Sequence, residues 1–118
     1  MNNIKPFLIK RNDTYPNLML KIRTQGEFNQ PVSFNLSGVT ATTFSMSDSD
    51  GNLKISSAEA EILNNVNGTM QYSWIDGDTD TSGNFKGEFE LFFIDGKKIS
   101  IPKTGFISIF IADDLNEL

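Results

Sequence analysis

The feature of this sequence that most constrains its fold is an alternation of apolar and polar residues with a period of two. The alternation is longest in residues 85–93, where one set of positions holds Phe85, Gly87, Phe89, Leu91 and Phe93 and the other begins Lys86, Glu88 and Glu90. Because successive side chains of a β-strand point to opposite faces, this pattern predicts a strand with one face in a core. The same period recurs in residues 18–23, 32–36, 42–47, 70–74 and 106–111.

Turn signals that contain glycine separate these segments. They are Asp50-Gly51, Asn67-Gly68, Asp76-Gly77, Ser82-Gly83-Asn84 and Asp95-Gly96. Each of them offers the positive φ angle that a tight reversal of the chain requires. Short strands separated by such turns at regular spacing predict an all-β sandwich or barrel.

Residues 57–64 leave their secondary structure open. Their composition has helical propensity, yet Ala58, Ala60 and Ile62 alternate with Glu59, Glu61 and Leu63 as in a strand. We favour the strand over the helix for this segment.

Length and charge narrow the class of protein. The 118 residues predict one domain that spans residues 1–118. The net charge of -5, without a long run of either sign, argues against nucleic acid as a partner. No apolar run approaches the roughly 20 residues of a membrane span, and no signal peptide is evident. We therefore expect a soluble chain made in the cytoplasm, with an acidic tail at residues 112–118 that leaves the sheet.

Absent residue types exclude most catalytic chemistry. The sequence has no Cys and no His, which removes disulfides, zinc sites, Cys nucleophiles and His-based general bases. The carboxylates fall on outer faces of predicted strands or in turns, which does not favour a glycosidase pair in a cleft. We predict that the protein is not an enzyme and needs no cofactor.

Two acidic clusters could bind calcium. Asp48, Asp50, Asn52 and Glu59 occupy the first, third, fifth and twelfth positions of an EF-hand loop. However, Leu53 stands where that loop needs Gly, and the preceding segment has the period of a strand, so a hairpin turn is the favoured interpretation. The second cluster is Asp76, Asp78 and Asp80, for which we favour a turn closed by Asp side chains over an ion site.

Tyr72 and Trp74 have two possible roles. In a β-sandwich, exposed aromatic rings could stack on sugar rings, as in carbohydrate-binding modules. Both residues share the alternation of Met70, which instead predicts that they lie in the core.

Motifs along the chain resemble one known family. These are the opening at residues 7–14, the Phe44-Ser45-Met46 strand with its Asp50-Gly51 turn, and the stretch at residues 67–90, which holds Tyr72-Ser73-Trp74 and Gly77-Asp78-Thr79. The closing hairpin at residues 95–111 completes the pattern. In order and spacing they resemble the N-terminal domain of phage baseplate upper proteins, over residues 7–112. Phe85 departs from the Tyr more usual there, and the family usually continues beyond this domain into a helical linker and a receptor-binding part.

The resemblance implies a fold and a role. The fold is an immunoglobulin-like antiparallel β-sandwich of about eight strands. The role is a phage virion structural protein, an assembly or scaffold module of the baseplate or tail. It would be made in the host bacterial cytoplasm, would lie in the virion and would dock to other virion proteins, as a homo-oligomer within the particle. The alternatives are a capsid decoration or head-fibre protein, and a carbohydrate-binding module for adhesion to the host surface.

Overall fold

Strands are the regular secondary structure of this chain. The computed structural model describes residues 6–25, 31–33 and 36–115, and this part contains no helix. The strands are β1 (Phe7–Lys10), β2 (Leu18–Lys21), β3 (Arg23–Gln25), β4 (Pro31–Ser33), β5 (Val39–Asp48), β6 (Leu53–Glu59), β7 (Glu61–Asn64), β8 (Thr69–Tyr72), β9 (Gly83–Phe93), β10 (Lys98–Ile101) and β11 (Ile107–Ala112). The prediction of an all-β sandwich is confirmed. No helix in the described ranges is long and apolar enough to cross a membrane.

Nine of these strands form two facing sheets. The first sheet has the order β1-β11-β9-β5-β6, and β10 also pairs with β9. The second sheet has the order β2-β8-β7, while β3 and β4 form a separate two-stranded ribbon. One pairing departs from the antiparallel pattern, because β1 runs parallel to β11. The other pairings are antiparallel.

Aromatic rings from both sheets fill the core. Phe44 of β5 stacks on Tyr72 of β8 with ring centroids 4.8 Å apart, and it lies 5.0 Å from Phe89 of β9. Trp74 meets Tyr72 edge-on at 5.4 Å. A large apolar side chain that is fully buried contributes about 1.5–3 kcal/mol to folding, so this cluster is a main source of stability. The alternation predicted for residues 85–93 is confirmed, since Phe85, Gly87, Phe89 and Leu91 are buried.

The segment at residues 57–64 forms strands, as favoured, but it belongs to both sheets. β6 pairs with β5 in the first sheet, and β7 pairs with β8 in the second. The chain changes sheets at Ala60, whose N–H donates to the carbonyl of Thr42 at 3.0 Å. The strand count therefore exceeds the expected eight partly because one run of extended chain is divided.

Two predicted regions lie only partly within the described residues. The strand expected at residues 32–36 overlaps β4, and Leu36 is buried, but Phe34 and Asn35 lie outside the described residues. In the tail, β11 ends at Ala112 and residues 113–115 are not part of a strand. Residues 116–118 lie outside the described residues.

The loop between β8 and β9 ties the β1–β2 connection to the sandwich. The carbonyl of Thr79 accepts a bond from the N–H of Asn12 at 2.9 Å, and the Thr79 hydroxyl donates to the carbonyl of Asp13 at 2.7 Å. The indole N–H of Trp74 donates to the carbonyl of Pro16 at 3.1 Å. Thr79 is only 1% exposed, so these bonds are shielded from water and hold the end of β1 in place.

Candidate functional site

Asp48, the first residue of the EF-hand-like motif, closes a hairpin turn. Its Oδ1 accepts bonds from the backbone N–H groups of Asp50 and Asn52, each at 2.9 Å, and its Oδ2 accepts a bond from the Asn52 side chain at 3.2 Å. The backbone bond from Asn52 is the main cause that lowers the pKa of Asp48. Glu59 lies at the opposite end of β6, about 20 Å along the strand from Leu53. The four candidate ligands therefore do not converge.

The second acidic cluster is also divided among separate roles. Asp78 is buried, and its Oδ2 accepts bonds from the Tyr72 hydroxyl at 2.6 Å and the Ile75 N–H at 2.9 Å. Asp80 is exposed and pairs with Lys54, which lowers the pKa of Asp80. Asp76 is exposed at the turn itself. Within the ranges that the structure describes, no group of three acidic side chains is placed to hold a metal ion.

Tyr72 and Trp74 lie in the core, as their alternation predicted. They are 2% and 4% exposed, respectively. Burial and the bond to Asp78 raise the pKa of Tyr72 well above its usual value. Neither ring can stack on a sugar at the surface, so the two residues on which the carbohydrate-binding alternative rested are not available for it.

The most distinctive exposed feature is an apolar row on the outer face of the first sheet. Leu8 of β1 lies directly opposite Phe110 of β11, and these side chains are 67% and 40% exposed. Phe106, one residue before β11, is 51% exposed, and the ammonium group of Lys86 lies 5.5 Å from the centre of its ring. We call Leu8, Phe106 and Phe110 the β1–β11 apolar row.

Sequence reasoning missed this row, although a signal was present. Ile107, Ile109 and Ile111 are the buried residues of β11. The alternation therefore places Phe110 on the opposite face, and Phe106 shares its parity. Large aromatic residues at positions assigned to solvent are the signal, because such positions usually hold polar side chains.

An open groove lies between the start of β5 and β7. It has a volume of about 580 Å³, and Val39, Ile62 and Val66 are among its lining residues. The described lining side chains are aliphatic, serine and asparagine residues, and none of them is an acid or a base. This groove therefore offers no group from that lining for proton transfer.

Comparison of the chain with models of known protein families and with curated proteins found no match.

Proposed function

We propose that this chain is a structural protein of a phage virion, an assembly module of the baseplate or tail that docks to other virion proteins. The resemblance described above supports this proposal, because the motifs that carry it fall on strands and turns. The Phe44-Ser45-Met46 motif lies in β5, and the Asp50-Gly51 turn joins β5 to β6. Tyr72 of the Tyr72-x-Trp74 motif is the last residue of β8, and Trp74 follows the strand.

The order of strands supports the immunoglobulin-like form of the sandwich. If β1, β2, β5, β6, β7, β8, β9 and β11 are given the letters A, B, C, C′, D, E, F and G, the first sheet has the order A-G-F-C-C′. The second sheet then has the order B-E-D. Immunoglobulin domains place G, F and C in one sheet and B, E and D in the other. The added hairpin strand β10 and the ribbon of β3 and β4 are further elements of this chain.

The single observation that carries the assembly role is the β1–β11 apolar row. Its three side chains expose roughly 300 Å² of apolar surface, taking about 150–250 Å² for a whole aromatic side chain. The largest apolar patch of a soluble monomer typically covers about 300–600 Å² and is often functional, so the size of the row fits a site of protein contact. The row also reaches the edge strand β1, and an edge strand offers unpaired backbone groups to a neighbouring chain.

Quantitative mass spectrometry of gradient-purified particles of the phage that encodes the chain tests this role. We expect the chain at a fixed copy number per particle, in the fraction that contains tails and baseplates. A matched sample of lysate from which particles have been removed controls for carry-over. Absence of the chain from purified particles would overturn the proposal, whereas its recovery with heads alone would favour a capsid decoration or head-fibre role.

One observation favours the carbohydrate-binding alternative. Phe106 and Phe110 are exposed and share parity along β11, so two aromatic rings are available there. However, Lys86 approaches the ring of Phe106, and phenylalanine has no polar group to bind a sugar hydroxyl. Binding of the isolated chain to an array of bacterial cell-wall glycans, lost in Phe110→Ala, is the result that would support this alternative over assembly.

A further inference from the structure

The open edge of β1 presents a defined set of backbone groups. Among the described residues, β1 pairs only with β11, and the N–H of Arg11 continues that ladder by donating to the carbonyl of Ala112 at 2.7 Å. Backbone groups of successive residues in a strand point to opposite sides. Phe7 and Ile9 therefore direct their N–H and C=O groups to β11, while Leu8 and Lys10 direct theirs to the open edge.

Part of this edge is already satisfied within the chain. The N–H of Asn12 donates to the carbonyl of Thr79, and the N–H of Asp13 donates to the carbonyl of Lys10 at 3.0 Å. The described groups that still face outward are the N–H and C=O of Leu8 and the N–H of Lys10. Pro6, which precedes the strand, has a carbonyl but no N–H.

We propose that this edge pairs antiparallel with β1 of a second copy of the chain, about a two-fold axis beside Leu8. With Leu8 opposite Leu8 of the second copy, the two residues exchange both of their N–H···O=C bonds. The N–H of Lys10 then meets the carbonyl of Pro6 of the second copy, and the reverse. Pro6 has no N–H to offer, and the carbonyl of Lys10 already accepts the Asp13 N–H, so the two sets of groups match.

The side chains agree with the same register. On the outer face, Leu8 and Phe110 of each copy form one continuous apolar row across the axis. On the inner face, the half-buried Phe7 lies opposite Ile9 of the second copy. Lys10 is the charged side chain of β1, and it lies opposite uncharged Pro6, so within Phe7–Lys10 no like charges face each other directly.

The outer edges of β6, β7 and β2 are less suited to this pairing. β6 contains Ser57, which has a positive φ of 51°, and its register with β5 shifts twice. β7 carries Glu61 and also has a register shift. On β2, Met19 lies opposite Gln71 of β8, and Gln71 lies opposite Glu61 of β7. The cross-strand row that begins at Met19 is therefore polar. Bulges and charges of this kind protect edge strands from pairing. β1 has no register shift with β11, and its one charged residue, Lys10, lies at the end of the strand, opposite uncharged Pro6 in the proposed register.

The dimer is expected to be weak. A stable interface buries about 800 Å² on each partner, whereas the β1–β11 apolar row exposes less than half of that. Association should therefore depend on concentration, with a mass that rises from 13.2 kDa towards twice that value. The inference stands on the geometry of the edge and does not depend on the virion role, which the particle analysis tests separately.

Two pairs of matched variants test the inference. Leu8→Pro removes the N–H that faces the second copy, and no bond of the β11 ladder uses that N–H. Met19→Pro is its control. The N–H of Ile22 donates to the carbonyl of Gly68, so in the antiparallel β2–β8 register the even-numbered residues of β2 direct their N–H groups to β8. The N–H of Met19 therefore faces the open edge of β2. Leu8→Lys sets two like charges opposite each other, and Met19→Lys controls for it, since Met19 is 58% exposed and Leu8 is 67% exposed.

Sedimentation equilibrium from micromolar to millimolar chain provides the readout, after Trp74 fluorescence has confirmed that each variant is folded. We expect the unmodified chain and both Met19 variants to dimerise, and both Leu8 variants to bind about tenfold more weakly or worse. Amide exchange at Leu8 and Lys10 should slow with concentration, whereas exchange at Met19 should not. A monomer at every concentration, or a dimer that the Leu8 variants leave unchanged, would overturn the proposal.

Discussion

The hydroxyl of Tyr72 donates a 2.6 Å hydrogen bond to the buried carboxylate of Asp78, six residues further along the chain. The same carboxylate oxygen accepts the N–H of Ile75. This arrangement links the end of β8 to the loop that holds the β1–β2 connection. It also gives the core aromatic cluster a polar partner at its border.

Removal of the Tyr72 hydroxyl should destabilise the fold. Tyr72→Phe leaves the buried carboxylate of Asp78 without one of its donors, and a hydrogen bond to a carboxylate contributes about 1.5–3 kcal/mol. Urea denaturation monitored by Trp74 fluorescence measures the loss of free energy of unfolding. Tyr15→Phe, at a side chain 78% exposed, should change it by less than about 0.5 kcal/mol. Equal stability of the two variants would show that the bond contributes nothing.

Alkaline pH should destabilise the protein through Tyr72. The pKa of this phenol is raised in the folded state, by burial first and then by Asp78, above its usual value of about 10. The folded state holds this proton more tightly than the unfolded state. The resulting stabilisation is complete below the pKa of the unfolded state, and it is lost as the pH rises from there towards the pKa of the folded state. The free energy of unfolding should fall more steeply above about pH 10 in the unmodified chain than in Tyr72→Phe. Parallel curves would contradict this assignment.

Acid should weaken the fold through Asp48 and Asp80. Backbone N–H donation from Asn52 lowers the pKa of Asp48, and the hydrogen bond from the Lys54 ammonium lowers the pKa of Asp80, in each case from an ordinary value of 3.8. A carboxylate whose pKa is lowered by folding stabilises the fold at a pH above the pKa of the unfolded state. This contribution is lost as the pH falls through the pKa of the folded state. Asp80→Asn should therefore flatten the decline in Tm below about pH 4, while Asp76→Asn, at an exposed position in the same loop, should not.

Gly87 should tolerate no larger residue. An added Cβ would lie 2.7 Å from Cδ1 of Ile109 and 2.9 Å from Cε1 of Phe44, both of which are fully packed core side chains. Gly87→Ala should cost about 1–3 kcal/mol by forcing these side chains apart. At Gly38 the nearest atom to an added Cβ is Cδ1 of Phe93 at 3.8 Å, so Gly38→Ala is the matched control with little expected effect. Chemical denaturation measures the free energy of unfolding of both variants and tests whether only Gly87→Ala lowers it.

Calcium should not change the stability of the protein. Asp48, Asp78 and Asp80 already have partners within the chain, and the described carboxylates do not converge. A ligand that binds only the native state must raise its Tm. We expect the same Tm in excess calcium and in chelator. A rise in Tm with calcium that Asp80→Asn removes would restore the loop at residues 76–80 as a candidate site.

The period of two predicted which face each strand buries, because that property is local. It placed Thr42, Phe44 and Met46 of β5 on the buried side, and all three are buried. It could not predict which strands pair. The parallel alignment of β1 with β11 joins residues about a hundred positions apart, and the four residues of β1 contain no signal for their partner.

The candidate calcium ligands also show that a local sequence pattern does not predict which residues meet in the folded chain. The spacing of Asp48, Asp50, Asn52 and Glu59 matches a calcium loop, but β6 carries Glu59 away along an extended strand. Asp78 could be placed in a turn from its sequence, whereas its burial beside Tyr72 depends on the packing of the core. The β1–β11 apolar row required a sheet in which Leu8 and Phe110 become neighbours.

The parallel pairing of β1 and β11 also determines how the domain responds to force. A load that pulls the start of β1 and the end of β11 apart acts along both strands and strains the hydrogen bonds of their ladder together. A load that lifts β1 away from β11 breaks the same bonds one after another. The domain should therefore resist stretching along these strands more strongly than peeling across them.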